Sequence, residues 1–315
     1  MERVFCTIIT RSHLSWALAL ADSLRVCDAE LRFCMLITDA GKAEVHPMGG
    51  RPGVEVVCLD DMRAYAMGAA IATKYADQSD ELRWSMKPVL MEHLLARYGK
   101  VIYGDCDLHF YADIQWMWSA LNTHAMLLTP HWRSGRASID RANFDLLFVG
   151  GLYNAGFVAA QRAALPALRF WAANCLEICV KDFTKGQYVD QTHLNLLPVY
   201  FEDIHVLKHR GCNVANWNMV ECARVRVGDA VMINGKDPIV FIHFTRSMID
   251  GIVSGEDGAL LPHLTILRDR MLAAGAEQDI IASAKARLAA RTSPPPGGVK
   301  QRLGRAVKRL TGGEN

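Results

Sequence analysis

No stretch of the 315 residues reaches the roughly 20 apolar residues needed to span a bilayer. The longest candidate, in SWALALADSL, is broken by Asp22 and then Arg25. No charged leader stands before a long apolar region, so MERVFCTIIT reads as a core strand rather than a signal peptide. The expectation is a soluble or peripheral protein of the cytoplasm. No CxxC pair occurs. The nine cysteines are odd in number and scattered, and Cys175 and Cys179 have no second pair at zinc-finger spacing. That pattern argues for buried thiols in a reducing compartment and against a disulfide framework. No GxGxxG follows an early strand, which removes a dinucleotide-dependent oxidoreductase. No strong charge imbalance exists either: the formal net charge is +2, so the chain as a whole is not a nucleic-acid binder. No internal repeat is present at solenoid periods.

Hydrophobic residues make up 51% and charged residues 22%, enough to build a sizeable core. VFCTIIT is a short β-rich run, and Ser12 is a candidate cap for a helix reaching about Arg25. LRFCMLITD and VEVVCLDDM are two further apolar runs. This strand–helix–strand rhythm predicts a doubly wound, parallel α/β sheet. A mostly helical stretch follows from Arg63 to Arg97, in which MKPVLMEHLLARYG has helical periodicity and stops at Gly99. Further on, AMLLTPHW and LLFVGGLYNAGFVAAQ read as strands and ALPALRFWAANCLEICVKDF as a helix. YVDQTHLNLLPVYF reads as a short helix running into a strand, and IVFIHFT as the last clear strand. LPHLTILRDRMLAAGAEQDIIASAKARLAAR is helical, and SPPPGG is a breaker and linker. Beyond it, Val299, Leu303, Ala306, Val307 and Leu310 share one helical face, with Lys300, Arg302, Arg305, Lys308 and Arg309 on the others. Residues 299–310 are therefore either a membrane-surface contact or a solvated, frayed terminus.

The segment KVIYGDCDLHF carries the chemistry. Asp105 and Asp107 follow an apolar strand, and residues i and i+2 of an extended segment point the same way. Two carboxylates together suit a hard divalent cation that leaves positions open for phosphate oxygens. In open α/β sheets, ligands sit beyond the carboxyl ends of the strands. The alternative for an isolated Asp-x-Asp is a solvated turn or cap.

With the pieces around it, this segment resembles the D-x-D region of GT-A glycosyltransferases, in particular the glycogenin-like (family 8) retaining enzymes and related bacterial envelope-sugar transferases. TIITRSHLSWALALADSL resembles their first strand and helix, SMKPVLMEHLLARYGKVIYGDCD their lysine-bearing helix and metal motif, YNAGFVAAQ their acceptor-side strand, YVDQTHLNLL their D-Q-x-x-x-N segment and FIHFT their late histidine motif. The likeness spans roughly residues 4–250. It implies a GT-A (Rossmann-like) mixed, mainly parallel sheet flanked by helices. Residues 1–250 would be catalytic, with a nucleotide half to about 110 and an acceptor half from 111. C-terminal helices would follow over 251–292, then a linker and basic tail over 293–315. The chain departs from the pattern at Cys106 between the acids, at Ala155 where a hydroxyl is usual, and at Thr245-Arg246-Ser247, where glycogenin has glycine and lysine.

What the resemblance implies for function is transfer of a sugar from a nucleoside diphosphate, UDP by default, to a hydroxyl of a glycan or lipid-linked acceptor, with retention. Asp105, Asp107 and His243 would hold Mn2+, or Mg2+, imidazole favouring manganese. Lys87 would contact the donor, and Arg246 is an alternative clamp for its phosphate. Thr7, Thr10 and Arg11 would touch the nucleotide, with Asp39 as a further candidate. Asp190 and Gln191 would act beside the anomeric carbon, and Asn154 and Gly156 would line the acceptor side. Trp217, among Asn213, Asn216 and Asn218, would be a stacking platform or a core residue. For several of these a structural role competes: a core histidine at 243, a surface lysine at 87, a helix cap at Asp190, turn geometry at Gly156. An inverting enzyme would need a base, for which Asp190 is available. The rival readings are a catalytically inactive sugar-binding relative and a sugar-nucleotide nucleotidyltransferase. The last is disfavoured because the first loop, TRSHLSW, has no glycine. The basic tail would put the work at the inner face of the cytoplasmic membrane.

Overall fold

A computed structural model describes residues 2–45, 48 and 50–292. The linker and basic tail lie outside the described residues. In chain order the strands are β1 (Arg3–Ile9), β2 (Arg32–Ile37), β3 (Val54–Cys58), β4 (Lys100–Gly104), β5 (Leu108–Phe110), β6 (Met126–Pro130), β7 (Tyr153–Gln161), β8 (Lys181–Asp182), β9 (Gln187–Tyr188), β10 (Ile204–Val206), β11 (Arg224–Val227), β12 (Ala230–Ile233), β13 (Asp237–Pro238) and β14 (Phe241–His243). Seven of them form the central sheet in the order β10-β6-β7-β4-β1-β2-β3. Neighbours run parallel except for β7, which is antiparallel to both β4 and β6.

Period-2 alternation sorts β1 onto two cores. Val4, Cys6 and Ile8 pack with Met86, Leu90 and Leu94 of the Ser79–Leu95 helix and Trp171 of the Leu165–Glu177 helix. Phe5 and Ile9 pack with Leu20 and Leu24 of the Leu14–Cys27 helix. Helices therefore cover both faces, which is why these strands read as unbroken apolar runs. A third core joins Ile242 and Phe244 to the C-terminal helices Arg246–Ser254, Leu261–Ala273 and Ile280–Thr292.

Three local expectations are corrected. Ser12 lies in a 3-10 turn and makes no cap; the following helix starts at Leu14 with His13 at its N-cap. Leu146–Val149 are helical, part of Arg141–Val149, where Asp140 caps the first turn by accepting from the Asn143 amide at 3.0 Å. The capping aspartate and the pair Gly150-Gly151 mark those limits, and only residues from Tyr153 on pair into β7. Finally, β11–β13 form an antiparallel meander absent from the sequence reading.

Candidate functional site

The sheet's direction of travel builds the site. The carboxyl end of β4 and the amino end of antiparallel β7 meet at one edge, with Gly104 opposite Phe157. The Asp105 amide donates to the Gly156 carbonyl at 2.9 Å. The chain then turns, the Leu108 amide bonding back to the Asp105 carbonyl at 3.0 Å. Asp105 and Asp107 thus converge across a tight turn, and the expectation of an extended pair is corrected. β5 next pairs with β14, setting His243 opposite Leu108 and Phe241 opposite Phe110. Phe110, Phe157 and Phe241 pack ring on ring beneath, at 4.9–6.5 Å between centroids, tying the three segments together.

Asp105, Asp107 and His243 each bring one donor atom into a cluster whose members lie within 4.8 Å of one another. His243 Nε2 is 3.1 Å from Asp107 Oδ1. Its Nδ1 faces Asn213 Oδ1 at 3.3 Å, so that nitrogen carries the proton and Nε2 is presented to the carboxylates. Burial opposes charging of His243, but Asp107 and then Asp105 outweigh it and raise its pKa. Burial likewise opposes ionisation of Asp107, and the His243 cation prevails, lowering its pKa. Gly156 leaves room for this packing: a Cβ there would lie 2.6 Å from His243 Cε1 and 3.0 Å from Asp105 Oδ2. Two carboxylates, one imidazole with its second nitrogen anchored and a cradle of bare backbone suit a divalent ion.

Lys87 is buried, 3.2 Å from both Asp105 Oδ1 and Asp190 Oδ2, and donates to the Ala155 carbonyl at 3.1 Å. Burial alone would lower its pKa; Asp105 and Asp190 reverse that and raise it, keeping the ammonium charged. Burial is also the main influence on Asp190, pushing its carboxyl up to about 6 despite Lys87. The Asp190 side chain therefore meets Lys87 and is no helix cap. Gln191 is fully engaged: its Oε1 accepts from Asn154 Nδ2 at 3.3 Å and the Ala155 amide at 3.2 Å, and its Nε2 donates to the Gly150 carbonyl at 2.7 Å. Asn154 Oδ1 accepts from the Gly156 amide at 2.9 Å.

A cleft of about 850 Å³ opens beside the acid pair, lined among others by Arg11, Arg83, Lys87, Asp105, Asp107 and Arg246. Four cationic side chains thus share the cleft with the two acids. Arg246 starts the helix after β14, capped by Thr245 Oγ1, which accepts from the Met248 amide at 3.2 Å. Arg11 lines the cleft while its amide donates to Asp39 Oδ1 at 2.8 Å. Thr10 bonds Ser12 and His13, and Thr7 is wholly buried; neither lines the cleft. Asn154, Asp190 and Gln191 lie behind the wall rather than on it.

Sequence reasoning missed Tyr103, whose hydroxyl donates to Asp105 Oδ1 at 2.6 Å, and His131, which accepts from Asn154 Nδ2 at 3.2 Å. Burial, reinforced by Arg133, drops His131 to about 3, so it stays neutral. It also passed over Arg83. The helix spacing of Arg83 and Lys87, one turn apart, was the available signal. Trp217 stands edge-on to His131 and His243, at 5.8 and 5.3 Å between centroids.

No family model matches the chain. Two proteins of Bacillus subtilis (strain 168) are similar in sequence: uncharacterized protein YfnD, 27% identical over 250 residues and 76% of each chain, and uncharacterized protein YfnF, 24% identical over 264 residues, 80% of this chain and 84% of the other. Among solved structures, mouse xyloside xylosyltransferase 1 in its apo form matches with a TM-score of 0.52 at 11% identity, covering 79% of this chain and 99% of that one. An active-site mutant of LgtC matches with a TM-score of 0.50 at 16% identity, covering 78% and 87%. The chain has the GT-A fold. In this GT-A fold the acid pair ends β4, the antiparallel β7 runs beside it, and a C-terminal helical extension completes the cleft.

Proposed function

We propose that the protein is a glycosyltransferase that moves a sugar from a nucleoside diphosphate, UDP by the sequence resemblance, to a hydroxyl of a glycan or lipid-linked acceptor. The observation that carries this reading is the Asp105–Asp107–His243 cluster, whose two carboxylates line a cleft that Arg11, Arg83, Lys87 and Arg246 also line. The shared fold of mouse xyloside xylosyltransferase 1 supports it. A bound Mn2+ or Mg2+ would supply charge neutralisation at the diphosphate leaving group. The protein's own groups do the positioning. Arg246 and Arg83 face the cleft and would attract the phosphates. Lys87, locked between Asp105 and Asp190, is a fixed positive charge at the acid pair and holds Asp105 in place. Gln191 and Asn154 brace the backbone at Ala155 and Gly156, on which His243 rests.

Asp190 is ion-paired and buried, so it serves Lys87 and is poorly placed to take a proton from an acceptor hydroxyl. That favours retention over inversion with Asp190 as base. The basic tail at 299–310 would add a contact with the membrane surface; its deletion should lower binding to anionic vesicles.

The test is a panel of nucleotide sugars assayed for nucleoside diphosphate release with and without Mn2+, on the native chain and on Asp105→Ala and Asp107→Ala. Metal-dependent release from one donor, lost in both variants, is the expected result. No release from any donor, with sugar binding that survives both substitutions, would make the protein an inactive sugar-binding relative instead.

A further inference from the structure

A second, partly buried polar group adjoins His243. Immediately after β6 the chain turns through Trp132, held at a left-handed φ of 53°, and presents Arg133. The Arg133 guanidinium lies 5.9 Å from the centroid of the Trp217 ring, whose edge also meets His243. One indole therefore separates this cation from the candidate metal ligand. Several other partly buried arginines meet carboxylates, Arg224 with Asp257 at 2.9 Å, Arg210 with Glu221 at 3.1 Å and Arg287 with Asp250 at 2.6 Å, whereas Arg25 and Arg270, far from Trp217 in sequence, do not among the described residues. Arg133, among the described residues, meets none within ion-pair distance. Its Nη1 donates to Asn143 Oδ1 at 2.7 Å, and its Nε has no protein partner although it is buried. Asp140, the acid whose charge acts on Arg133, is occupied by the Asn143 amide and side chain at 3.0 and 2.7 Å. Burial lowers the pKa of Arg133, and Tyr188 and Asp140 oppose it only in part. Two further buried atoms on the same loops also lack protein partners: Trp217 Nε1, a donor, and Asn216 Oδ1, an acceptor.

A half-buried guanidinium without a counter-charge is costly unless something completes it. A planar fork beside an indole matches an anionic sugar: the ring packs on the tryptophan, and a carboxylate or phosphate takes the end of the fork that Asn143 leaves free. We propose that Arg133 is a specificity-determining residue that reads an anionic group, carboxylate or phosphate, on the acceptor. This deepens the transferase reading and rests on it. Asn143 positions Arg133 by holding one end of the guanidinium, and the Asp140 cap fixes Asn143 in turn.

The experiment uses the full chain loaded with UDP and Mn2+. Binding of methyl glucuronide, glucose 1-phosphate and methyl glucoside is compared by saturation-transfer NMR, the first two separating carboxylate from phosphate. At least one anionic sugar should bind about tenfold more tightly than the neutral one. Arg133→Gln should bring that ratio close to one, and Arg133→Lys should restore part of it. An intact thermal transition identifies a folded variant. Equal binding of neutral and anionic sugars, no binding of either anion at millimolar concentration, or an unchanged ratio in Arg133→Gln overturns the assignment. Failure of the underlying reading looks different: no UDP–Mn2+ binding and no donor hydrolysed.

Discussion

Replacing Gly156 by alanine tests the proposed metal site. The backbone there has no left-handed φ, so alanine brings no conformational strain, and its effect is purely steric. The added methyl would lie 2.6 Å from His243 Cε1, 2.6 Å from Asn154 Oδ1 and 3.0 Å from Asp105 Oδ2. Ordinary carbon contacts begin near 3.5 Å, so the imidazole must retreat by about 0.9 Å. Metal–ligand distances tolerate only about 0.2 Å. The cluster then loses His243, or keeps it at the expense of Asp105. Disturbing the support of a ligand typically costs 10–100-fold in metal affinity, so Mn2+ should bind at least about tenfold more weakly, or 1.4 kcal/mol. Titration calorimetry with Mn2+ measures this directly, and the thermal midpoint of the metal-free variant shows how much of the fold is disturbed. Unchanged Mn2+ affinity in a folded Gly156→Ala protein would refute the claim that this glycine makes space for the ligands.

Three other outcomes are expected. Lys87→Met leaves Asp105 and Asp190 without their shared cation and should destabilise the chain by roughly 3–5 kcal/mol, the usual cost of breaking a buried pair, measurable by denaturant titration. Arg246→Ala, on the cleft wall, should raise the donor KM by about tenfold while moving the denaturation midpoint little, because surface substitutions seldom exceed about 0.5 kcal/mol. His109 is held near 3 by burial, then by Arg270 and His263, and its Nε2 accepts from Arg270 at 3.0 Å. Its folded pKa is depressed, so the unfolded chain binds the extra proton and stability is lost as pH falls below about 6.5. Between pH 7 and 5 that loss is about 2 kcal/mol; His109→Asn should flatten this part of the stability–pH curve, and an unaltered curve would contradict the assignment.

The parallel half of the fold was legible because its strands are buried on both faces, leaving apolar runs at regular intervals. The acid pair was legible because it follows such a run; its turn was not, since Gly104-Asp105-Cys106-Asp107 looks the same extended or bent. His243 could be reached only through the family likeness, because the β5–β14 ladder that brings it to Asp107 joins positions more than 130 residues apart. Asn213 and His131 hold their partners through tertiary contacts that leave no local pattern. Asp190 reads as a helix cap by its neighbours and becomes an ion-pair partner only once Lys87 arrives from a distant helix. The β11–β13 meander had a visible signal that went unread: Gly228-Asp229 and Asn234-Gly235 mark its turns between alternating residues.

The C-terminal helices and the loop between them contribute Met271, Gln278, Ser283 and Arg287 to the same hollow as the acid pair. What looks in sequence like an appendage is thus masonry of the proposed donor chamber. Hybrids between this chain and its relatives that are spliced near residue 250 would exchange one wall of that chamber along with the tail. Donor preference would then travel with a segment that contains none of the recognisable motifs.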